Sequence, residues 1–442
     1  MKPHIELKLR DGVIAPDAPY WEDAIRNKSG TDVTIDRALA RILARYAIPV
    51  VVTRAYAPHG TAWSPDEIAS GFNRVYRLVL LDEGAVPPSL VRDIEVLPTI
   101  EYARMGVVGI SELPTPEATA LSVSTDRRSR DAIHLEEAQQ YSQGDPSVIV
   151  AILDTGVWLT HPEFADRLLP GRDFVDILDG AGKFFGDYLD ADDDPTDAVG
   201  HGTHVAGIVA ARGSNMPKGV VPGCRILPVR VLGALRQGDK SVGAGLVDNI
   251  NVAIKWAIDQ GARVLNMSLG VRHTGGGLPH QDVIDYARRK DVTVIAASGN
   301  DGQEALYYPG ALPHVIAVGA VDDADQVATF STFGRQVSLV APGTNIYSTF
   351  LRDDYAYSTG TSHATPFVTG AAALLASHAQ RKFGVRLTDG QIKHVLKSSA
   401  DRVDAQFKHP KAGFGRINLL DAVKLLEYKL SGMRPSRPSR AA

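Results

Sequence analysis

Ser358-Thr359-Gly360-Thr361-Ser362-His363-Ala364-Thr365-Pro366 runs directly into Phe367-Val368-Thr369-Gly370-Ala371-Ala372-Ala373-Leu374-Leu375. A glycine turn here opens a helix of small residues, which can pack closely against a sheet. The pattern brings Ser362 into the first turn of that helix. Free amides and the positive end of the helix dipole favour an anionic oxygen there. Pro366 is expected in the same turn, where a missing N–H leaves no acceptor unsatisfied. Taken alone, Ser362 reads as an ordinary helix cap. Three other segments change that reading.

Ile152-Leu153-Asp154-Thr155-Gly156 ends an apolar run in a carboxylate beside a glycine turn, placed to hold a histidine. Gly200-His201-Gly202-Thr203-His204-Val205-Ala206-Gly207 then opens a second glycine- and alanine-rich helix, with His201 as candidate general base. His204 follows one turn later. No glutamate stands at zinc-protease spacing and no cysteine pair exists, so His204 reads as a hydrogen-bonded core histidine. Val294-Ile295-Ala296-Ala297-Ser298-Gly299-Asn300 is a strand ending in an amide donor, the group a developing oxyanion needs. Asp154, His201, Asn300 and Ser362 together supply an orienting carboxylate, a base, an oxyanion donor and a nucleophile.

The chain has 442 residues, 44% hydrophobic and 22% charged, enough for two or three domains with a sizeable core. A net charge of −4 gives no reason to expect nucleic acid or an anionic membrane as partner. Cys224 is the only cysteine, which excludes a disulfide-stapled scaffold. No apolar run approaches membrane-spanning length. Met1-Lys2-Pro3-His4-Ile5-Glu6 lacks the apolar core of a signal peptide, so a cytoplasmic location is expected, or secretion with a leader already removed.

Alternation and helical spacing divide the chain. Residues 1–112 predict a small α+β unit in the order β-α-β-β-α-β, its last strand near Tyr102–Ile110. Residues 113–131 form a polar linker, 132–428 a second domain and 429–442 a disordered tail. In the second domain, near-continuous apolar strands are predicted at 148–153, 226–232, 264–269, 292–297 and 315–321, with helices starting near Thr203, Gly243 and Pro279. Alternating β and α predicts an α/β fold with a doubly wound, mostly parallel sheet. Ligand chemistry then collects beyond the strand C-termini.

These motifs resemble the subtilisin family of serine proteases over about 132–426, including Asn266-Met267-Ser268-Leu269-Gly270 and Gly360-Thr361-Ser362. The resemblance implies a serine endopeptidase acting on polypeptides, with Asp154, His201 and Ser362 as triad and Asn300 at the oxyanion. It also implies that Gly243, Ala244 and Gly245, with Ser268, Leu269 and Gly270, clasp an extended peptide as an added strand. By the same resemblance the N-terminal unit is a propeptide, an intramolecular inhibitor of a zymogen. A run of carboxylates from Asp187 to Asp197 repels unless a cation compensates, and oxygen ligands suit Ca²⁺. The resemblance puts that ion at Asp187, Asp192, Asp194 and the Thr196 carbonyl. A second family calcium loop, after the His201 helix, is poorly matched by Arg212-Gly213-Ser214-Asn215.

Two departures stand out. His363 follows the nucleophile where the family commonly has methionine, and reads as a neighbour tuning the leaving-group side. A short segment from Asp301 sets Tyr307 and Tyr308 near the first specificity pocket, where they either fill it or pack into the core. The reading from another class is a catalytically silent peptide-binding scaffold; four intact chemical residues argue against it.

Overall fold

The computed structural model describes residues 3–27, 33–81, 84–112, 117–118, 127–176, 184–185, 191–237, 240–272 and 278–432. Within the first 105 residues β1 (His4–Leu9), α1 (Arg37–Tyr46), β2 (Val50–Arg54), β3 (Val75–Leu80), α2 (Pro88–Glu95) and β4 (Ile100–Met105) follow the expected order. The strands form an antiparallel sheet in the order β2-β3-β1-β4. Two short helices, Trp21–Asn27 and Pro65–Ser70, fall outside the sequence reading. The second is set by a capping box in which Ser64 and Glu67 each accept from the other's amide.

The last predicted strand divides in two. After β4 the chain leaves this sheet and forms β5 (Val108–Glu112), which joins the following domain. There β6 (Ile149–Asp154), β7 (Arg172–Asp173), α3 (His201–Ala210), β8 (Arg225–Arg230), β9 (Lys240–Leu246), α4 (Val247–Asp259), β10 (Val264–Met267), β11 (Val271–Arg272), α5 (Gln281–Arg289), β12 (Thr293–Ala297), β13 (Tyr307–Tyr308), β14 (Val315–Val321), β15 (Val337–Pro342) and α6 (Thr361–His378) succeed one another. Seven strands make one parallel sheet ordered β15-β14-β12-β10-β6-β8-β7. Its strands are buried on both faces, which is why they read as unbroken apolar runs. One correction concerns Gly243. It lies in β9, and the helix expected there begins at Val247. Of the expected linker, Glu117–Ala118 pairs with Ala356 and Tyr357 and Arg128–Asp131 is helical; 113–116 and 119–126 lie outside the described residues. Of the expected tail, Lys429 to Ser431 complete a helix from Leu419, and 433–442 lie outside the described residues.

The N-terminal sheet rests on α4 and α5. Phe72 meets Tyr286 edge-on at 5.1 Å, in an apolar cluster shared by both domains. Around it Lys8 pairs with Asp282 at 3.0 Å, Lys255 with Glu67 at 2.6 Å and His4 with Asp248 at 2.9 Å. Buried pairs of this kind fix register more than they add stability, because desolvation offsets most of the attraction.

The loop after α3 is closed by a carboxylate. Glu163 is fully buried and accepts amides from Gly213 at 2.7 Å, Ser214 at 3.0 Å and Asn215 at 2.7 Å, with the Tyr355 hydroxyl at 3.2 Å. Glu163→Gln turns one acceptor into a donor and leaves at least one buried amide unsatisfied, at a cost of about 1–3 kcal/mol. The expected result is a lower melting temperature, and an unchanged one would mean that the clasp contributes nothing.

Candidate active site

Asp154 ends β6, an interior strand of the sheet, and His201 begins α3, 47 residues further along the chain. Their approach requires Gly202. A Cβ there would lie 2.1 Å from the Gly156 carbonyl and 3.0 Å from Asp154 Cβ. The result is a hydrogen bond of 2.6 Å from His201 Nδ1 to Asp154 Oδ1, with both side chains buried. Asp154 Oδ1 also accepts the Thr155 amide at 2.8 Å. Burial alone would lower the pKa of His201. The charge and hydrogen bond of Asp154, helped by Asp197, outweigh it and raise the value above 6.5. The outer nitrogen, Nε2, is buried and has no hydrogen-bond partner among the described residues.

Sequence reasoning placed Asp197 only in an acidic run. In the fold it is the clamp of the His201 loop. Its Oδ1 accepts Thr155 Oγ1 at 2.9 Å and the amides of Val199 and Gly200 at 2.8 and 2.9 Å. Its Oδ2 accepts the amide and hydroxyl of Thr203 at 3.0 and 2.6 Å. The available signal was an aspartate shortly before a helix start, the pattern of a side-chain cap.

Ser362 stands in the first turn of α6, as expected. Pro366 does not: it lies inside the helix, so the Ser362 carbonyl loses the amide it would otherwise accept. Ser268 Oγ replaces that donor at 2.8 Å. Ser268 is itself held by Asn266 at 2.9 Å, and Asn266 by Thr369 at 2.8 Å. This chain ties the Ser268–Gly270 segment to the helix that carries Ser362. In return the Ser362 hydroxyl donates to the Ser268 carbonyl at 3.1 Å. Asn300 completes the cluster. Its Oδ1 accepts the amide and hydroxyl of Thr361 at 2.8 and 2.9 Å, which leaves its NH₂ end as the donor on offer.

The two other histidines are core residues. His204 Nε2 donates to the carbonyls of Ile346 at 3.1 Å and Ala356 at 3.0 Å, and burial pushes its pKa down to about 3. His363 packs against His204 and His201, with ring centres 4.5 and 5.3 Å away. Burial, then the two neighbouring rings, hold its pKa well below 6.5, so it stays neutral.

The two expected peptide-binding segments have different neighbours. Gly243, Ala244 and Gly245 in β9 pair antiparallel with Ser111, Ile110 and Gly109 of β5. An N-terminal strand already occupies this edge. Ser268, Leu269 and Gly270 follow β10 beside Ser362. Of the four expected calcium ligands, Asp187 lies outside the described residues. Asp192 Oδ1 accepts the Asp194 amide at 2.7 Å, and Asp194 Oδ1 the amide and hydroxyl of Thr196 at 3.0 and 2.5 Å. These are turns internal to the loop. Among the described residues no three acidic, histidine or cysteine side chains converge to hold a metal, and no helix is long and apolar enough to cross a membrane.

Comparison with known proteins agrees with this arrangement. The Subtilase family model matches residues 145–416. A thermophilic serine proteinase from Bacillus sp. (strain AK1) is 39% identical over 66% of this chain and 65% of its own length, so this chain spans just under two thirds of that relative. Thermitase of Thermoactinomyces vulgaris is 37% identical over 66% of this chain and 94% of its own. The major intracellular serine protease of Bacillus subtilis (strain 168) is 37% identical over 56% and 73%. The solved structure of the prenylagaramide maturation protease PagA superposes with a TM-score of 0.54 at 31% identity, over 66% of this chain and 98% of that one. The family match spans more than half the chain and takes in β6, α3, β10, β12 and the start of α6 alike, and this chain therefore belongs to the subtilase family of serine proteases.

Proposed function

We propose that the chain is a serine endopeptidase made as a self-inhibited precursor. The observation that carries the chemistry is the 2.6 Å bond from His201 to Asp154, on a ring whose outer nitrogen is unengaged. Asp154 fixes the tautomer that leaves Nε2 as acceptor. When a peptide enters, the Ser362 hydroxyl turns from the Ser268 carbonyl and gives its proton to that nitrogen as its oxygen attacks the carbonyl carbon. Negative charge then develops on the carbonyl oxygen, facing the Asn300 NH₂ and the positive end of the α6 dipole. His201 returns the proton to the leaving amine, and water repeats the cycle on the acyl-enzyme.

Self-inhibition is supported by β5. It is bound to Gly243–Gly245 as a peptide strand would be, and the chain beyond Glu112 leads into the linker. Incubating the purified full chain and sequencing its N-terminus over time tests both parts. New termini between residues 113 and 130 are expected, with activity rising alongside. An intact chain that hydrolyses peptides at full rate from the outset would end the precursor proposal.

A calcium ion at Asp187, Asp192, Asp194 and the Thr196 carbonyl is part of the same proposal, supported by the density of carboxylates there. Melting in EGTA against melting in calcium reads it, because an ion bound only to the folded state raises the midpoint. Equal midpoints leave the loop without an ion. A cytoplasmic site of action is supported by the Bacillus subtilis relative, whose name places it inside the cell.

A further inference from the structure

Two segments that leave the sheet side by side flank Ser362. β10 and β12 are neighbours in parallel register, Met267 opposite Ala296. Beyond their ends run Ser268–Gly270 and Ser298–Asn300, with Ser362 tied to the first and Asn300 ending the second. A peptide carbonyl attacked by Ser362, its oxygen toward Asn300, directs the side chain on its α-carbon into the slot between these segments.

That slot is occupied. A Cβ built at Gly299, in one wall, would lie 2.7 Å from both Cδ2 and Cε2 of Tyr307. A Cβ at Gly270, in the other wall, would lie 3.2 Å from Tyr307 Cβ and 3.3 Å from its Cδ1. The tyrosine therefore touches both walls at once, and two glycines are what make room for it. Its neighbour Tyr308 points the other way, as adjacent strand residues must, and is buried among Leu312 and Val315. The two tyrosines thus divide the roles left open by the sequence: Tyr308 packs in the core and Tyr307 fills the slot.

Two restraints keep the ring in place. The backbone is paired, Tyr307 opposite Arg272 and Tyr308 opposite Val271, between β13 and β11. The phenol hydroxyl donates to Asp301 Oδ2 at 3.3 Å. Asp301 is itself fixed, its Oδ1 accepting Thr332 Oγ1 at 2.5 Å and the Gln303 amide at 3.1 Å. Swinging the ring out would break the hydroxyl bond and require the paired backbone to move.

We propose that Tyr307 is the specificity-determining residue of this site, restricting the acyl-side position to glycine, alanine or serine. The proposal rests on the serine-endopeptidase reading above. It predicts substrates cut after small residues, with leucine and phenylalanine excluded by the ring.

The test uses the full chain, incubated until its activity is constant, and a series of peptide anilides identical except for alanine, leucine or phenylalanine at the acyl side. The unmodified chain should favour alanine over phenylalanine in kcat/KM by about 100-fold or more, a size typical of exclusion by shape. Tyr307→Ala should raise the phenylalanine-to-alanine ratio of kcat/KM by about 100-fold. Tyr307→Phe, which keeps the ring and drops the hydroxyl, should retain the preference for alanine. If the alanine variant fails to fold, Tyr307→Val keeps a strand-forming residue in β13 and should open the slot to leucine. Fluorophosphonate labelling of Ser362 is followed in every variant. Normal labelling with an unchanged phenylalanine-to-alanine ratio in Tyr307→Ala would overturn the proposal, as would an unmodified chain that cuts after phenylalanine as fast as after alanine. Absence of both labelling and turnover in the unmodified chain would instead sink the endopeptidase reading on which the proposal rests.

Discussion

Ser362→Ala should abolish peptide hydrolysis, with a fall in kcat of roughly 10⁶-fold, the loss known for removal of the nucleophile in subtilisin. The fold should be almost untouched. The hydroxyl donates to the Ser268 carbonyl, and alanine suits a helix at least as well as serine. The bond that joins the two segments runs the other way, from Ser268 Oγ to the Ser362 backbone carbonyl, and survives the change. Melting temperature should therefore stay within about 2 °C while turnover and fluorophosphonate labelling vanish, a shift worth at most about 1 kcal/mol in a domain of this size. Residual activity within about tenfold of the parent would sink the assignment, since loss of a nucleophile costs several orders of magnitude.

Asn300→Leu is the second large effect expected. A side chain of similar size removes the NH₂ donor, and kcat should fall by about 10²–10³-fold with KM little changed; this is the figure known for the oxyanion asparagine of subtilisin. The same change also strips the acceptor from the amide of Thr361, whose hydroxyl keeps the Gly299 carbonyl at 3.2 Å. Part of the loss could then come from a displaced start of α6, at about 1–3 kcal/mol for a buried donor left unpaired. Asn300→Asp separates the two effects, because its carboxylate still accepts from Thr361 yet offers a negative charge where the oxyanion forms. It should be as inactive as the leucine variant and closer to the parent in stability. An increase confined to KM in either variant would show that Asn300 holds substrate and not the transition state.

What the sequence determined by itself was the sheet and the group of side chains gathered at its edge. Val315–Val321 and Thr293–Ala297 are unbroken apolar runs because both faces of each strand are covered, and such a run carries its burial in its own composition. Asp154, His201, Asn300 and Ser362 were legible because each sits at a strand end or helix start marked by local glycine and cap residues. Contacts between distant segments were not legible. Gly243 read as the start of the helix whose apolar stripe follows it, and pairing on both sides, with Ala234 and with Ser111 of β5, makes it strand. Asp197 looked like part of a solvated or ion-binding run until the Thr203 turn folded around it. The loss at Pro366 is offset by Ser268, 94 residues away along the chain from the carbonyl it serves. Tyr307 and Tyr308 are identical in type and adjacent, so nothing in composition separates the pocket-filling ring from the core ring. Their pairing with Arg272 and Val271 decides it, because a strand turns successive side chains to opposite faces only once its partner has set the register.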